Sequence, residues 1–222
     1  MGLQQELADF KAEFARTAPV GRAALYDAKV DELRASFPLG DALAAGDMVP
    51  DFTLGDAQGR PVTLSAVLRE GPAVIVFYRG GWCPYCNIQL RAYQRALPEI
   101  AALKGRLIAI SPQLPDGSLS TAEKNKLEFD VLSDAGNGVA RSFGLVYALP
   151  EELREAMRSN GKPLPGLNGD ESWELPLPAA YVIAPGGRVA LACVEIDYRS
   201  RPAPEVIVAA LRSLQSAAPH AA

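Results

Sequence analysis

The stretch PAVIVFYRGGWCPYCNIQL, residues 72–90, decides how the chain is read. Its continuous apolar run, 72–78, has the pattern of a central strand buried on both faces. A helical pattern follows at once, predicted over 83–104 with a kink at Pro98. The junction carries two cysteines three apart, Cys83 and Cys86. Pro84 suits the first helical position, because its missing N–H would have no intrahelical partner there. Cys83 then becomes the N-cap residue and Cys86 falls in the first turn. Both sulfurs sit at the positive end of the helix macrodipole, which favours a thiolate. An ordinary thiol, with a pKa of about 8.5, is only slightly ionised at neutral pH. Helix-end stabilisation of about 1–2 kcal/mol lowers that pKa by roughly one unit. Arg79, if turned towards the sulfur, lowers it further. Residues three apart on a helix also approach closely enough for a disulfide. A Cys-x-x-Cys so placed reads as a redox motif.

Other uses of the pair fit less well. Three cysteines are an odd number for a disulfide framework, and a bridge across two residues closes almost no loop. Zinc would need Cys83, Cys86, Cys193 and His220 together, whereas structural zinc wants two local pairs of ligands. No metal or other cofactor is expected. His220 is the single histidine, so no Cys–His hydrolase can be assembled. Cys193, in VALACVEI, reads as a buried core thiol.

The rest of the composition sets bounds. The chain has 222 residues, 49% of them hydrophobic, and a net charge of −4. One sizeable core follows, with no basic, aromatic-rich patch to hold nucleic acid. The start, MGLQQELADFKAEF, lacks the basic and apolar regions of a secretory signal, and no apolar run is long enough to cross a bilayer. The expectation is a cytoplasmic protein with no membrane partner.

Residues 1–46 show helical stripes at Leu3, Leu7, Phe10 and Phe14 and again at Val30, Leu33 and Phe37. They read as a helical extension packed on the main domain, with a homodimer contact as the alternative. From residue 47 the texture is strand and helix in alternation. PDFTL and GRPVTL are short strands. SAVLRE is a helix with Ser65 as its cap. RLIAIS (106–111) and FDVLSD (129–134) are buried strands. SLSTAEKNKLE is a helix with a capping box from Ser120 and Glu123, and NGVARSFGLV is a further helix. Residues 148–177 begin helical and end as a Pro/Gly-rich loop. AAYVIAPGGRVALACVEI is two strands about a turn, and PEVIVAALRSLQSA closes the domain as a helix. This order predicts an α/β sandwich, a mixed sheet with helices on both faces, over 47–217, with a tail at 218–222.

GDMVPDFTL, GRPVTLSAVL, VIVFYRGGWCPYCN, FDVLSDAGNGVARSFGLV and AAYVIAPGGRV, in that order, resemble the peroxiredoxins of the AhpC/TSA type, over about residues 47–215. The resemblance implies a thioredoxin-like fold and reduction of hydroperoxides by an attacking cysteine. It departs from the family at the site. The family's proline, threonine and peroxidatic cysteine fall on Arg79, Cys83 and Cys86, so only the last is retained. The family's peroxide-orienting arginine falls on Pro178, which looks instead like the cis-proline that faces a thioredoxin Cys-x-x-Cys.

Two readings of the attacking sulfur therefore stand. Helix geometry favours Cys83, expected to be the more exposed. The resemblance favours Cys86, which also begins the inward stripe Cys86, Leu90, Tyr93, Leu97, Ile100. In the first, Cys83 attacks a protein disulfide and Cys86 releases it. In the second, Cys86 attacks a hydroperoxide and Cys83 resolves the sulfenic acid, with thioredoxin or a small thiol as reductant. A non-enzymatic redox sensor is a third use of the pair. Trp82 is expected to pack over the site, and Tyr85 to serve as a groove residue or a spacer. In DYRSRP (197–202), Arg199 is the candidate for the missing site cation.

Overall fold

The computed structural model describes residues 2–217, so His220 and the tail lie outside the described residues. Nine strands are present among them: β1 (Thr53–Asp56), β2 (Pro61–Thr63), β3 (Ala73–Phe77), β4 (Arg106–Ser111), β5 (Asp130–Ser133), β6 (Val146–Ala148), β7 (Glu174–Pro176), β8 (Ala179–Ile183) and β9 (Val189–Val194). Seven form one sheet in the order β2-β1-β5-β4-β3-β8-β9. The central β3, β4 and β5 run parallel. β8 joins β3 antiparallel, Val76 opposite Ala180, and β9 closes the edge. The sheet is mixed and flanked by helices, as the alternation predicts.

Strand alternation explains why both faces are apolar. From β3, Val74 and Val76 point to one face and Ala73, Ile75 and Phe77 to the other. The helices are α1 (Leu3–Thr17), α2 (Arg22–Ser36), α3 (Leu64–Glu70), α4 (Pro84–Ala102), α5 (Pro115–Asn125), α6 (Gly138–Ser142), α7 (Glu151–Ser159), α8 (Leu164–Asn168) and α9 (Pro204–Ala217). α4 covers the first face with Leu90, Tyr93 and Ile100, all fully buried. α3 and α6 cover the second through Leu64, Val67 and Val139, together with Phe143 just past the end of α6. α4 runs on through Pro98, which lies on its exposed face. Among the described residues no helix is long and apolar enough to cross a membrane.

α1 and α2 bury their own stripes on this chain. Leu3 and Leu7 enter the core cluster of α4, and Glu6 pairs with Arg95 of that helix. The Gln4 side chain donates to the Arg201 carbonyl at 2.8 Å. α2 is tied to α7: Lys29 bonds Glu152 at 2.7 Å and Arg22 donates to the Ala156 carbonyl at 3.2 Å.

Several local expectations are corrected. Thr63, not Ser65, is the N-cap of α3, and the Ser65 backbone N–H is held by the Asp51 carboxylate at 2.9 Å. α5 starts at Pro115, so Ser120 and Glu123 lie inside it and form no capping box. Proline's preset φ at the first turn outweighs the box. Residues 148–177 are more ordered than a loop. They hold α7, α8 and β7, which pairs with β6 through Tyr147 and Leu175. Leu149, Met157, Leu164, Trp173 and Leu175 form a separate small core there. The helix expected over NGVARSFGLV stops at Ser142 because the chain reverses at Gly144, φ +69°, and becomes β6. Cys193, expected in the core, is half-buried on the edge strand β9.

Gly144 is needed twice over. Its φ lies in the left-handed region, and a Cβ there would run into the Asp41 carbonyl oxygen. Gly144→Ala is expected to lower unfolding stability by about 1–3 kcal/mol. Urea denaturation checks this, and an unchanged midpoint would contradict the account.

Candidate active site

The sequence brings the cysteine pair to the end of β3 through a pinned loop. The Tyr78 N–H donates to the Ile110 carbonyl at 2.9 Å, extending the β3–β4 register by one residue. Gly80, φ +140°, turns the chain, and the Cys83 N–H closes the turn on the Gly80 carbonyl at 3.1 Å. The Asn87 side chain reaches back to the carbonyls of Gly81 (2.8 Å) and Cys83 (3.2 Å), and is itself held by Asn125. Asn87 was not singled out by sequence; its only signal is an amide one turn beyond the motif. Cys83 is the N-cap of α4 with Pro84 at the first helical position, as predicted.

Both cysteines are free thiols, and both are buried. The greater exposure expected of Cys83 is not found, because α1, α2 and the loop carrying Tyr198 cover the helix end. Cys83 nevertheless forms part of the wall of a cavity of about 320 Å3, while Cys86 lies behind it and outside that wall.

The two sulfurs differ electrostatically. Burial alone pushes the Cys86 thiol up. That effect is outweighed by a hydrogen bond from Cys83, by the Arg201 guanidinium and by the Arg79 backbone N–H, so Cys86 is held well below the ordinary thiol range. Arg201 Nη2 lies 3.5 Å from Cys86 Sγ, and Arg201 is itself buried. Burial raises Cys83 strongly, and its hydrogen bond to Cys86 raises it further. The surroundings thus favour the thiolate on Cys86 and the thiol on Cys83.

The cation at the sulfur is therefore Arg201 and not Arg199. Arg199 is occupied: it forms a fork on Asp197 at 2.7 and 2.9 Å and also meets Asp27 of α2. Arg79 lies between two rings, with its Cζ 5.0 Å from the Trp82 centroid and 4.3 Å from that of Tyr198. Trp82 and Tyr85 both line the cavity, and Tyr85 packs edge-on against Phe10 (5.0 Å) and Tyr198 (5.6 Å). Tyr198 joins these groups, although nothing in DYRSRP marks it as a site residue. Pro84 is exposed at the cavity edge.

Pro178 corrects the thioredoxin comparison. No peptide bond is cis among the described residues. The backbone on either side is used in trans: Leu177 N–H donates to the Leu145 carbonyl at 2.8 Å, and the Pro178 carbonyl accepts from Glu195 at 2.9 Å. Pro178 is buried and takes no place in the cavity wall.

The AhpC/TSA family model matches residues 45–192. The chain belongs to the AhpC/TSA family. Among curated AhpC/TSA-like relatives, a putative peroxiredoxin of Mycobacterium tuberculosis is 31% identical over 117 residues, which is 53% of this chain and 76% of the relative. A chloroplastic peroxiredoxin Q of Sedum lineare is 34% identical over 120 residues, 52% of this chain and 64% of that protein. Solved structures agree on the fold. Peroxidoxin BcpB from Mycobacterium tuberculosis superposes with a TM-score of 0.61 at 24% identity, covering 77% of this chain and 97% of that one. Enterococcus faecalis AhpC gives 0.62 at 17% identity, covering 80% and 95%. The thioredoxin-like, peroxiredoxin-type fold is thereby established. The AhpC/TSA match begins after α1 and α2, so the cavity roof lies outside it.

The pairing of Arg201 with Cys86 has a direct test. In a Cys83→Ser/Cys193→Ser background, thiolate absorbance near 240 nm reports Cys86 alone. Because the cation favours the charged form, Arg201→Gln is expected to move the titration to higher pH, by about one unit or more. The control variant keeps its thiolate to lower pH. Superimposable titrations would remove Arg201 from the role.

Proposed function

We propose that the chain is a thiol-dependent peroxidase of the peroxiredoxin type, with Cys86 as the attacking residue and Cys83 as its resolving partner. The observation that carries this reading is the buried Arg201 guanidinium 3.5 Å from Cys86 Sγ. The AhpC/TSA match and the peroxiredoxin relatives support the same reaction class.

The Cys86 thiolate attacks the terminal oxygen of a hydroperoxide and the O–O bond breaks. The leaving alkoxide, or hydroxide from hydrogen peroxide, takes up a proton and departs as alcohol or water. Cys86 is left as a sulfenic acid. Cys83 gives up its proton, attacks the Cys86 sulfur and expels water, forming the disulfide. A thioredoxin-like dithiol or two small thiols return two electrons and restore both thiols. Arg201 holds the thiolate before attack and faces the charge that develops on the oxygens. Arg79 adds a second positive charge close by. Helix position supports a rapid second step, since the partner sulfur is less than one turn away.

Turnover is tested by NADPH consumption with thioredoxin, thioredoxin reductase and hydrogen peroxide. Cys86→Ser is expected to reduce the rate to background. Cys83→Ser, given one equivalent of peroxide, is expected to become one oxygen heavier on Cys86 without forming the internal disulfide. Oxygen uptake on Cys83 in the Cys86→Ser chain, with none on Cys86 in the Cys83→Ser chain, would reverse the roles. No turnover above the Cys86→Ser control would sink the peroxidase reading.

A further inference from the structure

The cavity beside Cys83 is larger than the peroxide group requires. At about 320 Å3 it falls within the roughly 300–1,000 Å3 of small-molecule sites. A water molecule takes up about 30 Å3 in the liquid, so a two-oxygen peroxide leaves most of it unfilled. Its walls are largely apolar. α1 and α2 contribute Phe10, Phe14 and Leu33, and α7 contributes Leu153 and Met157.

The exception is charge. Arg79 lines the cavity and is only 7% exposed. Among the described residues its Nε is fully buried without a hydrogen-bond partner. Its charge faces the rings of Trp82 and Tyr198 and lies near Tyr147 and the cysteine pair. A buried guanidinium left without a hydrogen-bonded anion is costly. Lys162 also lines the cavity, and its Nζ meets the Trp82 carbonyl at 3.4 Å. Lys29 differs, being neutralised by Glu32 and Glu152. Among the described residues the cavity thus combines an apolar body with two cations that have no acid partner. A carboxylate suits the planar fork of Arg79.

We propose that this cavity is a binding site for an amphiphilic carboxylate, its acid group on Arg79 and Lys162 and its hydrocarbon body between α2 and α7. α1 and α2 are then part of ligand recognition at this site.

Redox-inert probes separate the site from the chemistry. Calorimetric titration of the reduced full-length chain with decanoate and with decanol is expected to show at least ten-fold tighter binding of the acid. Arg79→Gln is expected to abolish that preference, and Arg79→Lys to restore part of it. Decanoate is also expected to slow iodoacetamide alkylation of Cys83 several-fold in the unaltered chain, a readout that needs no variant to fold. Equal binding of decanoate and decanol, or no protection of Cys83, would overturn the site. Selective decanoate binding without any peroxide turnover would support the site and remove the peroxidase reading. Hydrogen peroxide turnover without decanoate selectivity would do the reverse.

Discussion

A negative charge on Cys86 is what makes the buried cation beside it tolerable, and that cation is what keeps the charge. Arg201 and Cys86 are both almost wholly buried and lie 3.5 Å apart. At an effective dielectric of about 20, two unit charges at this distance attract by about 5 kcal/mol. Removing each ion from water costs several kcal/mol. Coulomb attraction therefore roughly breaks even, and the balance is tipped by the remaining donors. The Cys83 thiol and the Arg79 backbone also favour charge on the Cys86 sulfur. Geometry fixed by the Gly80 turn and the Asn87 clamp is what delivers those donors. The protonated state of Cys83 and the ionised state of Cys86 are two descriptions of one hydrogen bond.

The first two helices take part in this arrangement. Gln4 of α1 holds the carbonyl of Arg201, and Asp27 of α2 helps keep Arg199 on Asp197, two residues before it. Aromatic contacts run from Phe10 through Tyr85 to Tyr198, whose ring also carries Arg79. Elements far apart in sequence are thus coupled through the loop 197–201. The family match does not include α1 and α2, yet they roof the cavity whose wall includes Cys83.

The sheet was largely legible because its strands announce themselves locally. β3, β4 and β8 are short apolar runs, and β4 falls at 106–111 as read. The cap of α4 was legible too, since Pro84 fixes where the helix begins. The site cation was not. Arg199 and Arg201 sit two apart in one loop, and nothing in DYRSRP says which faces a sulfur 115 positions earlier. The choice is made by Asp27 and Asp197, which claim Arg199. β6 and β7 were missed for a similar reason. Three-residue strands carry little periodicity, and their stability comes from pairing across α7 and α8. The cis-proline expectation failed because a family position was matched by residue type alone, whereas the backbone around Pro178 is committed to trans hydrogen bonding.

Arg79 and Cys83 make one physical unit. On the proposed reading, the resolving cysteine at the helix N-cap stands within a single turn of the attacking one, at a spacing that a disulfide accepts. A sulfenic acid so close to its partner has little time to take up a second oxygen, the step that leads towards irreversible forms. Yet Cys83 can resolve only by losing its proton, and burial opposes that loss. Arg79 and Arg201 both favour the Cys83 thiolate, and once Cys86 is oxidised its competing negative charge is gone. The same two cations that first hold the charge on Cys86 are then free to stabilise it on Cys83.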